Sequence, residues 1–136
     1  MSNINIKAGN FTFGAKFEQN APNTVSAFKA VMPFTGKIIH VRWSGEGVWV
    51  PLGNKNFGLE YENHTSYPAL GQIILYPGGI SETEILIAYG NVHFGSKMGQ
   101  LAGNHFMTIT SGIEDLPELG KETLWQGAQN IKITLD

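Results

Sequence analysis

The first regular pattern in the chain is an alternation of apolar with polar or small side chains over residues 10–18. Phe11, Phe13, Ala15 and Phe17 occupy every second position of this stretch. Because successive side chains of a strand point to opposite faces, a period of two is typical of a strand with one buried face. The pattern predicts a half-buried β-strand over residues 10–18.

The period changes over residues 21–32, where apolar side chains recur at helical spacing. Val25 and Phe28 are among the residues that fall on one face of such a helix. Pro22 stands in the first turn, where a missing N–H group costs nothing. Asn20 is a candidate N-cap, and Asn23–Thr24 is a second choice. The main helix is therefore predicted at residues 21–32.

β-branched and aromatic residues mark the remaining strands. The runs at residues 37–43 and 48–52 flank a short turn, Ser44–Gly47, and predict a hairpin. Residues 80–89 have two interpretations, a helix that opens with a capping box or a buried strand, and the apolar run near their end favours the strand. Further strands are predicted at residues 72–76, 104–110 and 130–135, a glycine-rich loop at 91–103 and a short helical turn at 113–119.

Composition narrows the class of protein. The length of 136 residues predicts a single domain over residues 1–136, and 17 glycines suit a turn-rich β protein. The chain has no cysteine, which excludes disulfides and thiol catalysis. It also lacks a signal-peptide pattern and any apolar run long enough to span a membrane, so no membrane partner and a cytoplasmic location are expected.

The net charge and the tryptophans indicate which macromolecules the protein is expected to bind. A net charge of −2 gives no field that attracts a phosphate backbone, so nucleic acid is not an expected partner. Charged residues make up only 15% of the chain, and Trp43, Trp49 and Trp125 are candidates for a subunit interface. These features predict a homo-oligomer, most simply a twofold dimer.

The order of elements resembles that of cyclophilin-like barrels. A strand, a helix opening with Ala21-Pro22-Asn23-Thr24-Val25, and a strand with His40 and Arg42 are similar to the early part of those barrels. The segments ENHTSYPALGQIILYPGGISETEILIAYG and GQLAGNHFMTI resemble the DUF3830 family, cyclophilin-like bacterial proteins of mostly unassigned function. This resemblance implies an all-β fold, a closed antiparallel β-barrel of about eight strands capped by helices.

The resemblance implies two kinds of activity. Cyclophilins isomerise prolyl bonds with an arginine beside an apolar pocket, and Arg42 falls near that position; however, the following SGEGVWVPL departs from their Phe-Met-x-Gln pattern. Cyclophilin-like domains are also similar to parts of enzymes that open amides and lactams. The first expectation is therefore a cofactor-independent acid–base enzyme for a small carboxylated metabolite, with prolyl isomerase or a non-catalytic oligomeric scaffold as alternatives.

Acid–base chemistry on a carboxylated substrate needs a general base, a proton donor and a cationic anchor. Polar and aromatic groups suited to these roles concentrate between Tyr61 and Tyr89, with Arg42 in the hairpin as the anchor. The candidate catalytic residues are Glu62, Tyr89 and His105, and the candidate substrate-binding residues are Arg42, Trp49, Asn63, Ser66, Tyr67 and Tyr76.

Each candidate also has a purely structural interpretation. Glu62 suits a solvated loop carboxylate, His105 a hydrogen-bonded core histidine, and Arg42 a partner for Glu46. The four histidines of the chain show no metal-ligand spacing, so neither a metal nor another cofactor is predicted.

Overall fold

A computed structural model describes residues 3–136. Within them the chain forms two α-helices, α1 (Pro22–Lys29) and α2 (Leu116–Gln126), with a 3-10 turn at Ile113–Asp115 directly before α2. The strands in this part of the chain are β1 (Ile4–Ala8), β2 (Phe11–Phe17), β3 (Phe34–His40), β4 (Gly45–Pro51), β5 (His64–Thr65), β6 (Gln72–Tyr76), β7 (Glu84–Val92), β8 (Gly95–Ser96), β9 (Gly99–Gln100), β10 (Gly103–Ser111) and β11 (Gln129–Leu135).

Eight of these strands close into an antiparallel β-barrel. They follow the order β2-β1-β11-β3-β4-β7-β6-β10, and the pairing of β10 with β2 closes the ring. The short β5 pairs with the start of β10, and β8 and β9 form a separate hairpin. The predicted closed all-β barrel is therefore confirmed.

The barrel interior is one apolar core to which all eight strands contribute. Ile6, Phe13 and Ile133 are at most 1% exposed within it. Phe28 of α1 and Leu119 of α2 join the same core, so each helix packs against barrel residues. Removing these side chains from water is the main favourable term for the fold.

A second apolar layer lies on the outer face of β6 and β7. Ile73 and Ile87 point into the barrel, whereas Ile74 and Leu86 point outward, and all four are buried. Phe94 of the following segment covers the outward residues. Burial on both faces explains why β6 and β7 read as unbroken apolar runs rather than as alternating patterns.

Most predicted strands are confirmed, with small shifts of boundary. The hairpin of β3 and β4 is present, but its turn lies at residues 41–44 rather than at Ser44–Gly47. Residues 84–92 form a strand, so the helical interpretation of this stretch is wrong. The predicted loop at residues 91–103 contains the β8–β9 hairpin, and β1 was not predicted although its buried positions alternate.

The two helices differ more from expectation. α1 is shorter than predicted, and its N-cap position is Ala21, which has no side-chain acceptor; the expected cap at Asn20 is wrong. The predicted turn at residues 113–119 is the start of a longer element, because α2 runs to Gln126. No helix within residues 3–136 is long and apolar enough to cross a membrane.

Candidate functional site

An apolar cavity of about 490 Å³ lies outside the barrel, between the outer face of β4 and β7 and the β8–β9 hairpin. Trp49 of β4 projects into it from the barrel wall, and Met98 projects from the hairpin. The β6–β7 connection, which includes Ile80, closes a third side. Concave, largely apolar spaces with a few polar groups are typical small-molecule sites.

The buried polar group of this cavity is the carboxyl of Glu84. Glu84 is the first residue of β7, is 7% exposed, and lies between Pro51 of β4 and Tyr76 of β6 in the sheet. Its carboxyl has no hydrogen bond or ion pair among the described residues, and its oxygens are open to the cavity, because no fully buried side-chain oxygen in this part of the chain lacks a partner. Burial, with a smaller contribution from the nearby Glu82 carboxylate, raises the pKa of Glu84 to about 8. It is therefore mostly a neutral acid at pH 7 and can donate a hydrogen bond.

Arg42 supplies positive charge at the cavity. It lies in the turn after β3, where its guanidinium is 5.6 Å from the ring centroid of Trp43. The expected pair with Glu46 is not formed, because the Glu46 carboxylate accepts the backbone N–H of Asn91 at 2.8 Å. Arg42 has no carboxylate partner within the described residues and is free to bind an anionic ligand.

Hydrogen bonds hold two walls of the cavity in place. The buried hydroxyl of Ser44 donates to the carbonyl of Gly95 at 3.1 Å and accepts the N–H of Gly95 at 3.0 Å, which ties the hairpin to the β3–β4 turn. The hydroxyl of Tyr76 accepts the N–H groups of Ile80 and Ser81 at 3.0 and 3.2 Å. Tyr76 thus supports the wall formed by the β6–β7 connection.

Glu62 occupies a different place, beside the first turn of α1. Its carboxylate accepts the backbone N–H of Thr24 at 2.6 Å, the Thr24 hydroxyl at 2.7 Å and the Asn23 amide at 3.2 Å. Its own N–H donates to the buried Asn104 side chain, which also donates to Thr24. This network supplies the helix cap that Ala21 lacks.

The neighbouring candidates Asn63 and His105 belong to the same side of the barrel. Asn63 donates from its side chain to the carbonyl of His105 at 2.8 Å. The Thr108 hydroxyl donates to Glu18 at 2.6 Å and lies 2.8 Å from His105 Nε2, so this nitrogen carries the proton. Burial lowers the pKa of His105 even though Glu18 opposes the shift, so the imidazole is neutral at pH 7.

Tyr89 lies apart from both groups, under α2. Its hydroxyl is 2.7 Å from His40 Nε2, and His40 Nδ1 is 2.8 Å from the Val41 carbonyl. Since a carbonyl only accepts, Nδ1 carries the proton and Nε2 accepts the tyrosine hydroxyl. Burial, followed by the charge of Glu46, raises the pKa of Tyr89, which keeps it a donor.

Ser66 and Tyr67 lie near the outer side of the β8–β9 hairpin. The Gln100 amide donates to the Ser66 hydroxyl at 3.2 Å, and the Phe94 N–H donates to the Ser66 carbonyl. The Tyr67 ring stacks on His93 with centroids 4.7 Å apart and is exposed. These residues line or border a shallow open groove that shares Trp43 with the cavity.

The structure therefore brings Arg42 and Trp49 together, with Tyr76 behind the cavity wall, but it does not bring them together with Glu62. Arg42 follows β3, and Glu62 precedes β5, which pairs with β10; β3 and β10 are four strands apart in either direction around the ring. Glu84 was missed as a site residue. The sequence signal that could have identified it is the charged residue at the start of β7, a strand that is otherwise apolar and buried on both faces.

No group of three or more metal-binding side chains occurs in the part of the chain that the structure describes. The cavity offers carboxyl, guanidinium and indole groups, which suit an organic ligand with polar ends and an apolar body.

The architecture defines a class, the closed eight-stranded antiparallel barrels, with an additional cavity on the outer wall. The chain belongs to the DUF3830 family, described as a protein of unknown function, whose profile matches residues 4–135. Comparison with curated proteins gives no match. The fold is similar to that of McbB, solved in complex with tryptophan, with a TM-score of 0.73 and 13% identity. The match covers 98% of this chain but 44% of McbB, so this chain spans less than half of that protein.

Proposed function

We propose that this protein binds a small carboxylated molecule in the cavity between β4, β7 and the β8–β9 hairpin. The observation that carries the proposal is Glu84, which is 7% exposed and lines the cavity, and whose carboxyl has no hydrogen bond or ion pair among the described residues. Its oxygens are open to the cavity, so a ligand that enters can supply their partner. Perturbed carboxyl groups in clefts are frequent at functional sites.

The other cavity residues take complementary roles in this proposal. Trp49 is the platform for the apolar body of the ligand, and Arg42 is the anchor for its carboxylate. If the protein is an enzyme, Glu84 is the proton donor, because a neutral carboxylic acid can protonate an oxygen or nitrogen of an amide or lactam. Glu84 takes the acid–base role in place of Glu62. The closed barrel with two helices also supports the cyclophilin-like relationship.

Thermal-shift screening followed by calorimetry tests the binding proposal, since a ligand of the folded state raises its apparent stability. The panel comprises keto acids, amino acids, cyclic amides and lactams, and includes tryptophan because McbB was solved with it. Hits are expected to lose about tenfold or more in affinity with Trp49→Ala or Arg42→Ala. Lys37→Ala and Lys132→Ala, at exposed positions on β3 and β11, are the controls.

Loss of affinity in the control variants, or no loss in the cavity variants, would place the ligand elsewhere. Turnover of a bound amide or lactam that disappears in Glu84→Gln while binding persists would establish catalysis. Binding without turnover would make the protein a binding module.

The predicted homo-oligomer stays a prediction. Sedimentation analysis of Trp125→Ala beside the wild type tests it, because loss of an interface residue should lower the sedimentation coefficient.

A further inference from the structure

The charges around the cavity are segregated along β4. Glu84 pairs with Pro51, the last residue of β4. At the other end of β4, the backbone N–H of Val41 donates to the carbonyl of Gly47. The turn that carries Arg42 therefore lies beside the start of β4. Pro51 is four residue steps along the strand from Gly47, a distance of about 13 Å at roughly 3.3 Å per step. Trp49 lies between these two residues.

Each end carries a second charge of the same sign. Glu82 lines the cavity beside Glu84 and is held in place by the Gly53 N–H, which it accepts at 3.0 Å. Lys97 lines the cavity from the hairpin, which Ser44 ties to the Arg42 turn. The cavity therefore has an acidic end, an aromatic middle and a basic end.

We infer that the ligand of this cavity is a zwitterion with its charges at opposite ends of an apolar body, its amine at Glu84 and its carboxylate at Arg42 and Lys97. This inference rests on the proposed function, because it specifies the ligand of the same site. A ligand with only a carboxylate matches the basic end and leaves the buried carboxyl without an ionic partner. An amine supplies N–H donors and positive charge at the end of the cavity where the described lining residues include the carboxyl groups of Glu82 and Glu84.

Binding of an amine changes the protonation of the site. The charged or titratable groups around Glu84 come from the β6–β7 connection, the β3–β4 turn, the hairpin and β6; they are Glu82, Arg42, Lys97 and Tyr76. Without ligand, burial keeps the Glu84 carboxyl protonated near pH 7. An ammonium group beside it favours the ionised form, so the proton leaves as the ligand binds. Affinity then rises with pH, by up to about tenfold per unit below pH 8.

The test compares 8-aminooctanoate with octanoate, which lacks the amine, and octylamine, which lacks the carboxylate. 6-Aminohexanoate and its two corresponding analogues form a second, shorter series. Isothermal titration at pH 7 in two buffers of different ionisation enthalpy measures both affinity and proton transfer. The ω-amino acid of each series is expected to bind at least about tenfold more tightly than either of its analogues. Close to one proton is expected to be released by each ligand that carries an amine.

Glu84→Gln is expected to abolish the proton release and the preference for the amine, and Glu82→Gln is expected to retain the release. If Glu84→Gln does not fold, proton release by the wild-type protein decides alone. Equal binding of octanoate without proton transfer, lost in Arg42→Ala, would overturn the zwitterion inference and leave the proposed function standing. Absence of binding by every member of both series, together with no hit in the broader panel, would overturn both.

Discussion

The carboxylate of Glu62 caps a helix that lies 38 residues away in sequence, through its 2.6 Å hydrogen bond from the backbone N–H of Thr24. Thr24 is fully buried in the third position of α1, where the N–H group has no partner within the helix. A negative charge at this position also interacts favourably with the helix dipole. The contact fixes the long connection before β5 to the helix.

Replacement of Glu62 is therefore expected to lower stability. Glu62→Ala removes three hydrogen bonds to the carboxylate and should cost about 1–3 kcal/mol of unfolding free energy. Urea titration measures the loss, with Glu60→Gln, at an exposed position two residues earlier, as the control. If stability is unchanged while a ligand-dependent activity disappears, Glu62 acts in chemistry rather than in capping.

The burial of Glu84 predicts a pH dependence of stability. Its folded pKa of about 8 lies above the ordinary value of 4.5, so the folded state holds a proton that the unfolded state releases between these values. Stability should therefore decline as pH rises from about 5 to 8, by up to a few kcal/mol at about 1.4 kcal/mol per pKa unit. Glu84→Gln should lack this decline, as measured by thermal unfolding across the pH series. Parallel curves for the two proteins would refute the raised pKa.

Replacement of Gly120 in α2 by alanine, which adds only a methyl group, is expected to destabilise the protein. A Cβ atom at this position would overlap the ring of Tyr89. Gly→Ala in a helix interior normally stabilises by up to about 1 kcal/mol, whereas Gly120→Ala should destabilise by about 1–3 kcal/mol. In a Tyr89→Ala background the same substitution should become neutral or stabilising. The double-mutant cycle measures this reversal, and additive effects would show that the ring is not the obstacle.

Ser44 is expected to control the order of the β8–β9 hairpin. Ser44→Ala removes both hydrogen bonds to Gly95, so the backbone amides near residues 94–101 should exchange faster with deuterium while those of β1 and β11 remain protected. Ser26→Ala, an exposed position on α1, is the control. Uniformly faster exchange throughout the barrel would instead indicate a general loss of stability.

The barrel strands were predictable because their signals are local. β6 was predicted with its observed bounds, since an apolar run between turns needs no knowledge of its partners. α2 was underestimated because Pro117 and Gly120 lower its helix propensity. Proline is tolerated in the first turn, and the absent side chain of Gly120 accommodates Tyr89, a contact between distant parts of the chain.

The site was less predictable, because residues of similar chemistry are separated by the closure of the barrel. Arg42 and Trp49 were identified and do line one cavity, since they belong to a single hairpin. Glu62 and Glu84 are both carboxyl groups near polar loops. Only the folded structure shows that Glu62 caps a helix and that Glu84 lines a cavity, without a partner among residues 3–136. Ser81 and Glu84 have the spacing of a capping box, a pattern in which the glutamate lies at an exposed helix start, so the sequence did not indicate that Glu84 is buried.

The double-sided burial of β6 and β7 has a consequence for solubility. Folding of the barrel depends on side chains such as Ile73 and Ile87, which face inward, whereas Ile74 and Leu86 need only the cover that follows β7. A chain whose cover at residues 93–101 was replaced by a short polar linker would still close its barrel. It would then expose the apolar surface formed by Ile74 and Leu86, and it would aggregate at concentrations at which the intact protein remains in solution. The inward-facing residues of the barrel strands thus determine whether the protein folds, and the segment at residues 93–101 determines whether the folded protein stays soluble.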